Sequence, residues 1–149
     1  MNLYEFHRGN TPLLISVPHS GTELPEAIAH RLTVTGRGVP DTDWHVHLLY
    51  DFARGLGASI IKANYSRYVV DLNRSSDSKP LYVGQPTSPV CPTETFDGGF
   101  IYMAGHEPED AEIAARVDRY WRPYHERIAK ELAALRAIEK TLNVTFAVT

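Results

Sequence analysis

The chain has a single cysteine, Cys91, in 149 residues. No disulfide can form within it, and a lone thiol fits a reducing compartment. Basic residues are not in excess: 15 Lys and Arg stand against 18 Asp and Glu, a net charge of −3. That removes the electrostatic case for nucleic acid or an anionic membrane as partner. No apolar run approaches the ~18 residues of a membrane span, and the opening MNLYEFHRGN lacks the basic-then-apolar order of a secretion signal. The expected location is the cytoplasm. There is no repeat, low-complexity tract or linker, so the chain reads as one domain over residues 1–149 with a sizeable core.

What is present is an alternation of short apolar runs and helical periods. Residues 13–17 (LLISV) form an apolar run closed by Pro18, the pattern of a buried strand. Residues 27–32 suit a short helix. Residues 43–56 carry His45, Leu49, Phe52 and Leu56 on one stripe, with Gly55 and Gly57 as stops, which predicts a single amphipathic helix. Residues 58–62 (ASIIK) and 67–72 (RYVVDL) read as two further strands. Residues 73–105 are rich in Pro, Gly, Ser and Thr, and a loop of that length is expected to be functional. Its Tyr82, Phe96, Phe100 and Tyr102 are expected to pack down. Residues 108–140 are helical in period, with a kink or break expected at Pro123. TLNVTFAVT suits a last strand. This order predicts an α/β fold, a mostly parallel or mixed sheet flanked by helices.

Three segments carry chemistry. VPHSG places His19 at the carboxyl end of a buried strand, where open α/β sheets put their ligands, and Gly21 lets the backbone turn. His19 is either a first metal ligand or a hydrogen-bonded loop histidine. PDTDWH offers two acids. Asp41 suits a helix cap, and Asp43, in the first turn, is the better candidate to reach a metal held by His19. In SRYVVDLNR, strand alternation puts Arg67, Val69, Asp71 and Asn73 on one face. Arg67 and Asp71 form either an internal ion pair or part of a cluster, with Asn73 and Arg74, that grips a carboxylate. One imidazole, one carboxylate and a group of guanidinium and amide donors are the inventory of a metal-using hydrolase acting on an acidic small molecule.

The order PHSG, DTDWH with LYDFARGLGAS, SRYVVDLNR, KPLY, CPTETFDG and YWRPYH resembles the N-formylglutamate amidohydrolase family over residues 13–135. The resemblance implies hydrolysis of N-formyl-L-glutamate to formate and L-glutamate, as in histidine breakdown, on a fold similar to zinc carboxypeptidases and zinc amidases. It implies a Zn2+ ion on two histidines and one carboxylate: His19 matches the first histidine and Asp43 the carboxylate, with Asp41 as the weaker alternative. Arg67, Asn73 and Arg74 match the substrate-binding donors. The family's second histidine and its general acid/base are expected beyond residue 149, so the domain is expected to be incomplete at its carboxyl end. His106 and His125 are weak substitutes for that histidine. An incomplete sheet is expected to expose apolar surface and to favour pairing with another chain, including a homo-oligomer.

Overall fold

The computed structural model describes residues 2–77 and 88–142, with residues 138–142 by backbone alone. Its centre is a three-stranded mixed sheet in the order β1-β3-β2. The strands are β1 (Tyr4–His7), β2 (Leu14–Val17) and β3 (Ser59–Ala63). β2 runs parallel to β3, with Ile15 beside Ile60, and β1 runs antiparallel, with Glu5 beside Lys62. β2 and β3 fall where the apolar runs predict them. β1 has no counterpart in the sequence reading, because four residues are too few to display a period. Its place is fixed by distant partners, including an ion pair of 2.9 Å between Glu5 and Lys62.

Between β2 and β3 lie four short helices, α1 (Glu26–Ala29), α2 (Val34–Arg37), α3 (Val46–Leu49) and α4 (Phe52–Gly55). The single helix expected over residues 43–56 is thus two helices of one turn each. His45, at the start of α3, has φ 63°, a left-handed conformation that cannot continue a helix backward into Asp43. The stripe does not reach a core either: Leu48, Leu49, Phe52 and Leu56 are 58–70% exposed. Short helices owe their stability to tertiary packing, and in α4 only Ala53 is buried, against Ala58, Ile60 and Ile15.

The far end of the chain forms α5 (Asp110–Arg116), a π-helical turn over Val117–Trp121, and α6 (Arg122–Leu142). Pro123 has no N–H to give and its ring crowds the carbonyl four residues earlier. The chain meets both demands by widening one turn rather than by breaking. The tail of TLNVTFAVT lies outside the described residues. α6 covers one face of the sheet. The Tyr124 hydroxyl meets the Ser16 hydroxyl at 2.9 Å, and the Arg127 guanidinium lies 3.8 Å from the centre of the Phe6 ring. Glu131, almost fully buried, is bonded by Arg8 (2.9 Å), Ser59 (2.8 Å) and Arg127 (2.7 Å), which ties the helix to both β1 and β3.

Residues 73–105 are largely irregular where described. Val90, Cys91, Ile101 and Tyr102 are buried in the main core with Leu32, Ile61, Tyr68 and Val69. Tyr102 therefore packs down as expected, whereas Phe96 and Phe100 are exposed. Tyr82 and the KPLY segment lie outside the described residues.

Candidate active site

β2 runs out at Val17, and Pro18 delivers His19, buried, to the end of the sheet. The turn beyond it presses on another chain segment. A Cβ on Gly21 would lie 2.3 Å from the Tyr65 carbonyl oxygen, so the demand for glycine here is close approach, not a left-handed turn. Asp43 is tied to the same point by its backbone N–H, which donates to the His19 carbonyl at 3.0 Å. That leaves Asp43 Oδ2 3.6 Å from His19 Nδ1, with Asp43 half exposed. The two residues proposed as metal ligands are brought together.

The other ring nitrogen is engaged from behind. His19 Nε2 lies 2.7 Å from Oδ1 of Asp71, which is fully buried. Burial pushes the Asp71 carboxyl up, but the His19 hydrogen bond, the charges of His19 and Arg67 and the Asn73 N–H together hold it below its ordinary range. An ionised carboxylate only accepts, so His19 Nε2 carries a proton and donates it to Asp71, which leaves Nδ1 as the ring atom facing Asp43. Asp71 also accepts from Arg67 Nη2 at 2.5 Å and from the Asn73 N–H at 2.9 Å. Arg67 in turn lies over the Phe96 ring, 4.5 Å from its centre.

Residues 67–72 are not the strand that their apolar content predicts. The Ser66 hydroxyl accepts the Tyr68 N–H and the Ser66 carbonyl accepts the Val69 N–H at 2.9 Å, which bends the chain into a turn. Arg67 and Asp71 do meet, but across that turn and not along a pleated face. Buried Val69 and Val70 imitate a strand because the loop itself is in the core.

After Asp71 come Asn73, exposed, and Arg74, whose Nε lies 4.0 Å from Asp71 Oδ2. α6 and the turn before it hold this stretch by its carbonyls. Trp121 Nε1 donates to the Arg74 carbonyl at 2.8 Å and His125 Nε2 donates to the Leu72 carbonyl at 2.9 Å, the two rings stacked 3.8 Å apart. Burial lowers the His125 pKa and favours its neutral form. His125 is thereby engaged away from His19, and His106 is an exposed residue whose carbonyl takes Arg31.

Asp41 serves neither as a helix cap nor beside His19. Its Oδ2 accepts the Tyr68 hydroxyl at 2.7 Å and the Phe96 N–H at 3.1 Å, joining the loops on either side of the site. Burial, and then Asp41, push the Tyr68 hydroxyl pKa well above its usual value. His45, expected on a core stripe, is exposed.

The donor set suits a borderline divalent metal in part. An imidazole oriented by a buried carboxylate and facing a second carboxylate would supply two of the three protein ligands of a catalytic zinc site. Among the described residues no group of three His, Cys, Asp or Glu side chains is placed to hold a metal.

Comparison with known proteins decides the family. The family model for N-formylglutamate amidohydrolase matches residues 11–146. The chain belongs to the N-formylglutamate amidohydrolase family. As such it is 47% identical over 131 residues to the N-formylglutamate deformylase of Pseudomonas putida and 51% identical over 132 residues to that of Pseudomonas aeruginosa. These alignments take in 88% and 89% of this amidohydrolase-family chain but 49% of each relative, so it spans about half the length of the curated relatives it matches. A solved N-formylglutamate amidohydrolase from Ralstonia eutropha shares the fold at a TM-score of 0.64 and 24% identity, over 91% of this chain and 52% of that one. A gene product of Agrobacterium tumefaciens shares it at 0.61 and 16%, over 96% and 53%.

The family motifs thus sit where the geometry is tightest: PHSG and DTD at the His19–Asp43 pair, RYVVDLNR around Asp71. What the sequence reading did not foresee is the second partner of Asp71. Asp71 pairs with His19 as well as with Arg67, a contact between residues 52 apart for which no local pattern stands. The available signal was its setting, an acid inside a run of buried residues that a single arginine does not fully satisfy.

Proposed function

We propose that the chain supplies the metal-binding and substrate-gripping half of a zinc-dependent enzyme that hydrolyses N-formyl-L-glutamate to formate and L-glutamate. The observation that carries this reading is the meeting of His19 Nδ1 and Asp43 Oδ2 at 3.6 Å, with Asp71 holding the far side of the ring. His19 and Asp43 would hold the ion. A bound zinc would activate water at neutral pH and polarise the formyl oxygen.

The chain's own residues have distinct tasks. Asp71 keeps the proton of His19 on Nε2, so that Nδ1 is free to bind. Asn73 and Arg74 are the accessible donors for the carboxylates of an acidic substrate, and fixing those groups presents the formyl carbon in one orientation. Arg67, 7% exposed and bonded to Asp71, acts behind them by orientation rather than by reaching the substrate. The names of the two Pseudomonas relatives support formylglutamate as the substrate. A buried free thiol at Cys91 suits the cytoplasm, and histidine degradation is the process that such an activity serves.

The test is zinc titration of the chain beside His19→Ala and Asp43→Ala, with formate release measured in a chimera where this chain replaces the matching half of the P. putida relative. Zinc binding lost in both variants, with formate release by the parent chimera, is the expected result. Equal zinc binding in all three proteins, or a folded chimera that turns over no N-formylglutamate, refutes the proposal.

A further inference from the structure

The segment that carries Asp43 has its firm anchors upstream. Downstream, His45 turns left-handed at φ 63° and α3 buries none of its residues. Asp43 itself contributes the backbone bond to the His19 carbonyl, and its side chain is half exposed. Just before it, Thr42 is buried, and its hydroxyl donates to the Val39 carbonyl at 2.8 Å. Asp41 reaches out of the segment to two other loops. Its Oδ2 accepts the Tyr68 hydroxyl at 2.7 Å and the Phe96 N–H at 3.1 Å. Both donors are fixed in place. Tyr68 is 1% exposed, and its carbonyl accepts from Tyr102 and Arg116. Phe96 sits in a tight turn, where the Thr95 N–H donates to the Gly99 carbonyl at 2.8 Å and the Thr95 hydroxyl accepts the Gly99 N–H at 2.9 Å.

These contacts close on themselves. Asp43 faces His19, His19 bonds to Asp71, Asp71 bonds to Arg67, and Arg67 lies over the Phe96 ring. The Phe96 N–H then returns the chain of contacts to Asp41, two residues before Asp43. We propose that Asp41 is a positioning residue, which sets the separation of Asp43 and His19 by pinning the Asp43 segment to the loops of Tyr68 and Phe96. It acts through Asp43, since its own bonds go to those two loops. A carboxylate suits the task because one charged oxygen holds two donors, and bonds to an ionised acceptor are stronger than neutral ones. An acceptor of that kind also explains why PDTDWH carries two acids: one faces His19 and the other holds the first in register.

The proposal deepens the reading of His19 and Asp43 as a joint site and rests on it, but its first measurement needs neither zinc nor substrate. Amide hydrogen exchange is followed by NMR in the full chain and in Asp41→Ala, Asp41→Asn and Tyr68→Phe. The Asp43 amide reports the bond to His19, the Phe96 amide reports the bond to Asp41, and the Ile61 amide in β3 reports the core. In Asp41→Ala the Asp43 and Phe96 amides should exchange about 10-fold or more faster, relative to Ile61. Tyr68→Phe, which keeps the buried ring and removes only the hydroxyl, should speed the Asp43 amide in the same sense. Asp41→Asn keeps an acceptor oxygen and should fall between the parent and Asp41→Ala. Zinc affinity is then expected to follow the same order. An Asp43 amide that is unchanged in Asp41→Ala, or that changes only in step with Ile61, overturns the proposal. So does faster exchange at Asp43 with equal zinc affinity in all four proteins, which would make Asp41 a prop of the loop alone. A parent chain that binds no zinc refutes the zinc reading instead, and the ratio of Asp43 to Ile61 exchange then decides the role of Asp41.

Discussion

Replacing Asp71 by Asn separates the two duties of that residue. The carboxylate accepts His19 Nε2–H at 2.7 Å, Arg67 at 2.5 Å and the Asn73 N–H at 2.9 Å, and none of its surface reaches solvent. The amide removes the charge that Arg67 faces. Because Arg67 is itself buried, the variant loses stability of the order seen when one partner of a buried pair is deleted, about 3–5 kcal/mol. Against a total of about 5–15 kcal/mol that loss is a large fraction, so the variants are compared only where each is folded. The second effect is on His19. An Asn amide can donate to Nε2, which moves the ring proton to Nδ1, the atom that faces Asp43, and loss of such a supporting carboxylate weakens metal binding by about 10–100-fold. Arg67→Met is the comparison, since it breaks the same ion pair and leaves the Asp71–His19 bond. The measurement is zinc affinity by competition with a chromophoric chelator, at a temperature where circular dichroism shows each variant folded. Both variants are expected to melt earlier, with zinc affinity falling by about 10-fold or more only in Asp71→Asn. Equal zinc affinity in the two variants refutes the orienting role of Asp71.

Three further outcomes are expected. Glu131→Gln weakens the tie between α6 and the sheet by about 2–3 kcal/mol, less than a fully buried pair because Arg8 is more than half exposed and regains water. Burial raises the Glu131 carboxyl, yet Arg8, Ser59 and Arg127 hold it below its ordinary value. Its contribution is therefore full above the unfolded pKa of about 4.3 and lost as pH falls through the lower folded value. Urea midpoints of the parent and Glu131→Gln should converge in acid and separate above about pH 5. Gly21→Ala drives a methyl to 2.3 Å from the Tyr65 carbonyl oxygen and should cost about 2 kcal/mol or more, with a matching fall in zinc affinity as His19 shifts; an unchanged melting temperature would show that the close approach is slack. His45→Gly relieves a φ of 63° at an exposed position, and calorimetry should find a gain of about 0.5–1 kcal/mol.

Legibility followed distance along the chain. β2 and β3 were readable because their apolar runs are dense and end at Pro18 and at the turn after Ala63. His19, Asp43 and the Asn73–Arg74 pair were readable as candidates because each lies in a short motif with its own local logic. Residues 43–56 were misread because amphipathic period reports what a helix would bury, and among the described residues only Ala53 of this stretch is buried, against Ala58 and Ile60. Residues 67–72 were misread because buried valines signal burial before they signal a strand; the Ser66 hydroxyl, which makes the turn, is one atom in a run of apolar residues. The Asp71–His19 bond and the Glu131 cluster join positions 52 and more than 70 residues apart, and no window along a single sequence holds both ends.

The widened turn at Val117–Trp121 has a consequence for phase. An α-helix advances about 100° per residue, so one surplus residue in a turn rotates everything beyond it by roughly that angle relative to an unbroken rod. α5 and α6 are thereby set like two gears keyed to different neighbours. On the far side of the wide turn His125 and Glu131 come into line with the Leu72 carbonyl and with Ser59, while on the near side Arg116 keeps its grip on Glu112 and Tyr102. Deleting one residue there would regularise the ladder and leave one of the two sets of teeth turned into solvent.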